Sequence, residues 1–314
     1  MKHRKCSILL LLLAVVLALN TSGCRKKDAQ NNAAYIVREM RNPYWQSVVK
    51  GIEENIDGFT LDVYDSASSF EQEANNIIQV IDKGYQCVFF SPAKGADSIP
   101  HIEQLLDAGI YVVLVGENVN TTGFDEQVCL IGLDNYDAGF RTMEALAEEM
   151  DGMGSVLMFN IRLGNTDEMV KGAHDCLVNY PDIAVAEEYD MDHIDTYYHV
   201  SDDYQSAMDQ NKDICGVWFT AEMSTEYIID SQLINADGEK PQIAGTISYF
   251  DSPIHVENGD VLCVIVYDPY SFGEKAAQIM TKRYKEGKED FGTYLLKGIL
   301  VTKENIDQYK DLPF

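Results

Sequence analysis

Short apolar runs alternate with amphipathic stretches along nearly the whole chain from residue 33 onward. The runs are rich in Val, Ile, Phe and Tyr, which is typical of strands buried on both faces of a parallel sheet. In the first half, the predicted strands are Ala34–Val37, Thr60–Tyr64, Cys87–Phe90, Tyr111–Val115 and Val128–Leu133. In the second half, they are Ser155–Phe159, Ile183–Glu188, Ile214–Phe219, Gln242–Ile247 and Val261–Val266.

The stretches between these runs carry apolar residues at helical spacing. One face of the first predicted helix holds Trp45, Val48, Val49, Ile52 and Ile56, and one face of the second holds Ala74, Ile77, Ile78 and Ile81. Gly84 and Gly109 follow the second and third helices, and glycine commonly ends a helix. The helices predicted in the second half are Ala138–Met150, Glu168–Asn179, Tyr204–Asn211, Thr225–Ile234 and Ser271–Glu286.

This alternation predicts an α/β protein with two doubly wound parallel sheets and right-handed crossovers. It restarts after Asp134, and no linker rich in Gly, Pro or Ser separates the halves. We therefore expect two lobes joined by several crossings of the chain, which form a multi-strand hinge. Roughly 280 globular residues are enough for two such domains. In open sheets of this kind, ligands bind beyond the carboxyl ends of the strands.

The first 24 residues predict export from the cytoplasm. Basic residues precede the apolar run Ile8–Leu19, and small residues stand before Cys24. The run is shorter than the roughly 20 residues that span a bilayer, so a secretory signal is favoured over a transmembrane helix. The segment resembles a bacterial lipoprotein signal. This resemblance implies that residues 1–23 are removed and that Cys24 carries a lipid, with polar residues 24–32 as a tether on the membrane surface.

The chain is strongly acidic, with a formal net charge of −27. Such a charge disfavours nucleic acids and anionic lipid as partners. Beyond the predicted anchor the cysteines are Cys87, Cys129, Cys176, Cys215 and Cys263, an odd number that cannot all pair within one chain. All but Cys176 lie inside apolar runs, where a free thiol is a small buried hydrophobe. No C-x-x-C spacing occurs, so neither thiol chemistry nor structural zinc is predicted.

Several segments, taken in order, carry a likeness to a known family. They are YIVREMRNPYWQSVVKGIEE, DSASSFEQEANNIIQVIDKGYQCVFFSPA, LDNYDAGFRTMEALAEEM, VWFTAEMSTEYII and IVYDPYSFGEKAAQIM. The chain resembles the type I periplasmic sugar-binding proteins, the ribose- and galactose-binding group that shares its fold with the lactose-repressor family. The likeness covers nearly all of residues 33 to 300. It implies one lobe from residues 33–133 and 268–296 and a second from 134–267 and 297–314, closing without a cofactor on a small polar ligand.

The resemblance also implies ligand contacts, residue by residue. In the loop Asn-Pro-aromatic-aromatic, Asn42 is expected to hydrogen-bond a ligand hydroxyl, while Tyr44 and Trp45 sandwich an apolar face. Ser91 and Thr220 stand where the family often has Asn, and Tyr267 stands at a Gln of ribose binders. With the two acidic positions described next, the expected ligand-binding set is Asn42, Tyr44, Trp45, Ser91, Glu117, Asp167, Thr220 and Tyr267.

Three positions depart from the family pattern. Gly116-Glu117 replaces an Asp-Arg pair, Asp167 aligns with a ligand-clamping Arg, and Ile247 replaces an Asp. Arg41 and Arg162 are the candidate substitutes for the missing cations. Aromatic faces, including Tyr249, combined with carboxylates, including Glu222, suit a sugar or a cationic ligand held by cation–π contacts.

Some of these side chains have a structural alternative. Trp218 lies within a predicted strand, and this favours a place in the core over the ligand wall. Asp167 and Glu222 can each serve a helix N-terminus, Asp167 as the cap of a helix from Glu168, without any ligand.

No catalytic motif is present: the chain has no G-x-S-x-G elbow, Walker loop, H-E-x-x-H or G-x-G-x-x-G after a strand, so an enzyme is not predicted. His193 and His199 lie in an acidic stretch that is more typical of a solvated loop than of a metal site. The sequence predicts a monomeric, lipid-anchored, extracytoplasmic solute-binding protein that captures a sugar for an ABC transporter. The alternatives are a sensory partner of a histidine kinase or chemoreceptor, and a binder of a cationic ligand.

Overall fold

The computed structural model describes residues 32–116, 118–161, 166–191, 199–220, 226–229, 231–245 and 252–309. In this part of the chain the strands are β1 (Asn32–Val37), β2 (Thr60–Asp65), β3 (Cys87–Phe90), β4 (Tyr111–Val115), β5 (Val128–Leu133), β6 (Met153–Ile161), β7 (Asp182–Met191), β8 (Ile214–Phe219), β9 (Gln242–Gly245), β10 (Cys263–Val266), β11 (Thr293–Leu296) and β12 (Ile299–Thr302). The predicted signal peptide and Cys24 lie outside the described residues.

The α-helices of the same part are α1 (Pro43–Asn55), α2 (Phe70–Lys83), α3 (Ile99–Asp107), α4 (Asn135–Glu149), α5 (Asp167–Leu177), α6 (Val200–Gln210), α7 (Glu226–Ile229), α8 (Ser252–Asn258) and α9 (Pro269–Glu286). Within the described residues, none of them combines the length and the apolar character that a membrane crossing requires.

The strands form two six-stranded sheets. The first has the order β11-β5-β4-β3-β1-β2 and is parallel throughout. The second has the order β12-β10-β9-β8-β6-β7, and β12 is antiparallel to β10 while the other pairs are parallel. Apolar residues cover both faces of each sheet. The predicted fold class, two doubly wound α/β sheets, is confirmed.

Element limits agree best where apolar runs are continuous: β3, β4, β5 and β8 have the predicted limits. The helix predicted at Thr225–Ile234 is wrong after residue 229, since residues 231–235 are not helical. Ser231 accounts for part of this difference, because its hydroxyl accepts a hydrogen bond from Leu233 N (3.2 Å) in place of a helical carbonyl. The sequence did not predict α8, β11 or β12.

The buried face of α2 also differs from the predicted one. Ile78 is 54% exposed, whereas Glu73, Asn76, Ile77 and Val80 are buried. The polar members are tolerated because they are hydrogen-bonded. Glu73 accepts hydrogen bonds from Ala93 N and lies 2.5 Å from His101 Nδ1, and Asn76 Nδ2 donates to Asp65 O. Of the predicted face, Ile77 is buried and Ala74 and Ile81 are partly buried, so the prediction is wrong only for Ile78.

All five cysteines of the described chain are free thiols. Cys87, Cys129 and Cys263 are buried as predicted, and Cys176 is buried as well. The prediction of burial is wrong for Cys215, which is partly exposed and whose Sγ donates to Asp213 O. Burial raises the pKa of Cys129 and Cys263 to about 12. These buried thiols are therefore protonated and unreactive at neutral pH.

Within the described residues, the chain passes between the two sheets three times: at Asp134 between β5 and α4, at residues 267–268 between β10 and α9, and at residues 297–298 between β11 and β12. The first two crossings are hydrogen-bonded through Tyr267 Oη, which donates to Asp134 O (3.3 Å). The first and third meet where Asp134 N donates to Leu296 O (2.9 Å). The crossings thus lie side by side, as a hinge requires.

Candidate ligand-binding site

The Asn-Pro-aromatic-aromatic loop begins α1 at the carboxyl end of β1. Asn42 is the N-cap, and its Oδ1 accepts a hydrogen bond from Tyr44 N (2.8 Å). Pro43 follows as the first helical residue, where its missing N–H costs nothing. Asn42 Oδ1 therefore serves the helix as its cap.

The two aromatic residues of the loop differ in burial. Their rings meet edge to face, with centroids 4.9 Å apart. Trp45 is only 5% exposed and belongs to the core of the first sheet, whereas Tyr44 is partly exposed. A Cβ atom at Gly116, the residue directly after β4, would lie 3.0 Å from Trp45 Cζ3 and 3.6 Å from Tyr44 Oη. The loop and the end of β4 are therefore in contact, while the adjoining Glu117 lies outside the described residues.

Ser91 and Thr220 are both fully buried at the carboxyl ends of β3 and β8. Ser91 Oγ lies 2.8 Å from Tyr35 Oη and donates to Val115 O (2.7 Å), so its proton is used inside the first sheet. Thr220 N donates to Phe159 O, continuing the pairing of β8 with β6. The structure brings both residues to the expected edges but beneath the surface.

Asp167 is the exposed first residue of α5. The expectation that it caps a helix from Glu168 is wrong, because the helix already includes Asp167 and its N-cap position is Thr166. The helix lies against α4 through Gly139 and Gly172, where a Cβ atom would overlap the carbonyl groups of Met169 and Tyr136. This close contact fixes the first turn of α5 at the carboxyl edge of the second sheet.

Tyr267 directly follows β10 and lies in the second crossing between the sheets. Its ring is partly buried beside Phe272, with centroids 6.3 Å apart, and a Cβ atom at Gly298 would lie 3.2 Å from Tyr267 Cε1. Burial raises the pKa of Tyr267 well above the ordinary tyrosine value, so the phenol remains a hydrogen-bond donor at physiological pH. Any ligand contact of Tyr267 is thereby linked to the hinge.

Arg41, one of the two candidate cations, is already paired with a carboxylate. Arg41 Nε donates to Glu39 Oε1 (2.8 Å) and Arg41 Nη2 donates to Glu39 Oε2 (3.1 Å). The hydrogen bond from the Arg41 guanidinium lowers the pKa of Glu39 below its usual value, and the Arg41 side chain itself is largely exposed. Arg41 is therefore not held in position for a ligand, and Arg162 lies outside the described residues.

The remaining candidates are a core residue, an expected metal-free stretch and residues outside the described part of the chain. Trp218 is fully buried and its Nε1 donates to Thr142 Oγ1 (3.0 Å), which confirms its place in the core. In the described part of the chain, no three His, Cys, Asp or Glu side chains are grouped to hold a metal ion. The other candidates named from the sequence, His193, Glu222, Ile247 and Tyr249, lie outside the described residues. Asn160 and Thr166 lie in the strand-end stretch 160–167 where the fold predicts ligand contacts, but neither is in the expected ligand-binding set; each has a buried atom without a partner among the described residues.

A family model described as the periplasmic binding protein domain matches residues 33–246, more than half of the chain. The chain belongs to the periplasmic binding protein family. Membership confirms the resemblance seen in the motifs and implies an extracytoplasmic location.

This periplasmic binding protein is similar to the D-allose-binding periplasmic protein of Escherichia coli (strain K12), with 19% identity over 81% of this chain and 85% of that protein. Among solved structures, it is similar to the sugar-binding protein of a sugar ABC transporter from Bacillus halodurans, with a TM-score of 0.76, 18% identity, and coverage of 89% and 100% of the two chains. The Caulobacter myo-inositol binding protein bound to myo-inositol gives a TM-score of 0.68, 16% identity, and coverage of 91% and 98%.

We expect Gly116→Ala to destabilise this periplasmic binding protein by about 1–3 kcal/mol. Two causes add: Gly116 has φ +80°, and the new Cβ lies 3.0 Å from the Trp45 ring. Urea denaturation followed by tryptophan fluorescence measures the effect. Gly84→Ala is the matched control, because its φ of +76° carries the same backbone strain with no atom within 4 Å. Equal losses in both variants would show that the Trp45 contact at Gly116 has no energetic weight.

Proposed function

We propose that this protein is a lipid-anchored extracytoplasmic receptor that binds one sugar or polyol between two lobes and delivers it to an ABC transporter. The observation that carries the proposal is the Asn42-Tyr44-Trp45 loop, held at the carboxyl edge of the first sheet against Gly116. An aromatic face beside an amide donor suits the apolar face and the hydroxyls of a sugar ring. The D-allose-binding and myo-inositol-binding relatives support this ligand class.

The proposed binding set combines both sheets. Asn42, Tyr44 and Trp45, with Ser91 and Glu117, belong to the lobe of residues 33–133 and 268–296. Asp167, Thr220 and Tyr267 belong to the lobe of residues 134–267 and 297–314. Ligand that binds the closed arrangement better shifts the population toward closure about the three crossings. The buried hydroxyl of Ser91 acts from below in this scheme, by holding the ends of β3 and β4 together.

A thermal-shift screen tests the ligand class. The protein from Lys26 onward would be heated with D-allose, D-ribose, D-galactose and myo-inositol, and with small amines as the competing class. A sugar present at 100 times its Kd is expected to add about 2.7 kcal/mol of stability. For a protein of this size that corresponds to a rise in Tm of roughly 5–10 °C. A response to amines alone would contradict the sugar assignment and favour cation binding.

The anchor is tested separately in the full-length protein. Wild-type cells are expected to hold the protein in the membrane fraction, and mass spectrometry of its N-terminus is expected to find a lipid on Cys24. A Cys24→Ser variant is expected to lose the lipid and to leave the membrane fraction, because the polar tether without acyl chains does not insert into the bilayer. Membrane retention of Cys24→Ser would contradict the lipid anchor without affecting the proposed ligand.

A further inference from the structure

The N-terminus of α5 contains a buried hydroxyl that no group of the described residues uses. Thr166 occupies the N-cap position with φ −72° and ψ −14°, and its side chain makes no capping hydrogen bond. Thr166 is 1% exposed, and within the part of the chain that the structure describes its Oγ1 has no hydrogen-bond partner. Its backbone carbonyl, by contrast, accepts hydrogen bonds from Met169 N (2.9 Å) and Val170 N (3.1 Å). Buried polar atoms without partners are rare and call for an explanation.

A second such atom lies on the strand that leads to α5. Asn160, near the end of β6, is fully buried, and its Oδ1 has no hydrogen-bond partner among the described residues. Its Nδ2 donates to Glu188 Oε1 (2.5 Å) and to Asp190 Oδ1 (3.2 Å) on β7. These two acceptors fix the orientation of the amide, because the opposite orientation would turn Oδ1 toward carboxylate oxygens. The free oxygen of Asn160 is thus held away from β7.

The two atoms belong to the same region of the second lobe. Met158 lies two residues before Asn160 on the same face of β6, and it packs with Met169 and Ala173 of α5 in one core cluster. Asn160 is the next residue on that face toward the carboxyl end of β6. It therefore lies beneath the first turn of α5, where Thr166 stands. This is the edge of the sheet at which α/β proteins bind their ligands.

We propose that Asn160 and Thr166 form a hydroxyl-binding subsite of the ligand site, in which Asn160 Oδ1 accepts a hydrogen bond from a ligand O–H and Thr166 Oγ1 donates to a ligand oxygen. The inference rests on the proposed function. It adds two residues that the family resemblance does not supply. A hydroxyl group fits both partners, because it is a donor and an acceptor at once.

The surrounding charges narrow the ligand class further. Glu188 and Asp190 contact the amide of Asn160, and Asp167 follows Thr166 directly. These carboxylates disfavour a ligand carboxylate or phosphate at the subsite. A ligand that lacks the hydroxyl would leave the buried atoms unpaired, and a site built around hydrogen bonds rejects such analogues strongly. The subsite therefore selects neutral polyols or sugars by the presence of one hydroxyl.

Thr166→Val tests the subsite, with Thr142→Val as its matched control. Both residues are buried threonines of the second lobe, but Thr142 Oγ1 donates to Ala138 O (2.8 Å) and accepts from Trp218 Nε1. Calorimetric titration would use D-allose, D-ribose, D-galactose and myo-inositol, and thermal unfolding would use the ligand-free variants. Thr166→Val is expected to leave the ligand-free Tm unchanged and to weaken the Kd by about two- to tenfold. Thr142→Val is expected to lower the ligand-free Tm and to leave the Kd unchanged.

Two further measurements complete the test. Thr166→Ser, which keeps the hydroxyl, is expected to retain wild-type affinity. Deoxy analogues of the bound sugar, each lacking one hydroxyl, would be titrated against both proteins. One of them is expected to bind wild type weakly and to bind Thr166→Val with the same Kd, because the deoxy sugar and the substitution each remove the same hydrogen bond. A lower ligand-free Tm in Thr166→Val, or a Kd equal to wild type, would overturn the subsite. If wild type itself binds none of the four compounds, the proposed function is what fails.

Discussion

Replacing Glu73 with alanine is expected to lower the free energy of unfolding by about 3–5 kcal/mol. Glu73 is fully buried between α2 and α3, and its two carboxylate oxygens serve different partners. One accepts from Ala93 N and the other pairs with His101 Nδ1, whose ring stacks on Phe70 with centroids 4.3 Å apart. Removing the carboxylate leaves both of these groups buried without an acceptor, which costs more than the lost contacts alone.

Denaturation by urea measures this loss, and Glu71→Ala provides the control on the same helix. Glu71 is exposed in the first turn of α2, so its removal is expected to cost about 0.3–1 kcal/mol through the helix dipole. The Glu73 variant is also expected to bind ligand more weakly. The hydrogen bond from Ala93 N to Glu73 holds the segment after Ser91 in place at the carboxyl end of β3, and the variant lacks this bond. Equal stability of the two variants would contradict the assigned role of Glu73.

The second large effect is expected from Trp45→Ala, at about 3–5 kcal/mol. Trp45 is 5% exposed and packs with Val48, Val115 and Phe272 in the core of the first sheet. Deleting the indole leaves a cavity under the Asn-Pro-aromatic-aromatic loop. Tyr44→Ala is the matched comparison, because Tyr44 is partly exposed at the edge of the same cluster and is expected to cost less than half as much.

Fluorescence makes the comparison direct, since the chain contains two tryptophans. In Trp45→Ala the remaining signal comes from Trp218 in the second sheet, and circular dichroism follows both sheets together. We expect the first sheet to unfold at lower urea than the second in this variant. A Trp45→Ala protein as stable as Tyr44→Ala would contradict the contribution of the Trp45 indole to the core of the first sheet.

The sequence predicted the parallel strands well because strands buried on both faces are continuous apolar runs, as in Cys87–Phe90 and Ile214–Phe219. It missed β11 because Thr293–Leu296 is a short edge strand that alternates exposed and partly buried residues after a charged segment. It misjudged Ile78 because hydrogen bonds, which an apolar pattern cannot show, let Glu73 and Asn76 take the buried face of α2.

In the candidate site, too, features set by local sequence were predictable and features set by distant contacts were not. The cap at Asn42 was predictable because Asn-Pro is a local helix-start signal. The place of Tyr267 was not, because its hydroxyl meets Asp134, 133 positions earlier in the chain, only after both lobes have formed. The free oxygens of Asn160 and Thr166 depend on which neighbouring groups are already paired, and that information exists only in three dimensions.

The most direct test of the account is a calorimetric titration of the protein with the sugar that gives the largest thermal shift. We predict one binding site per chain, at least a tenfold weaker Kd in Tyr44→Ala, and an unchanged Kd in Tyr180→Ala, whose ring lies beside Gly152 at the opposite edge of the second sheet. The absence of saturable binding to any sugar, or wild-type affinity in Tyr44→Ala, would contradict a sugar site built on the Asn42-Tyr44-Trp45 loop.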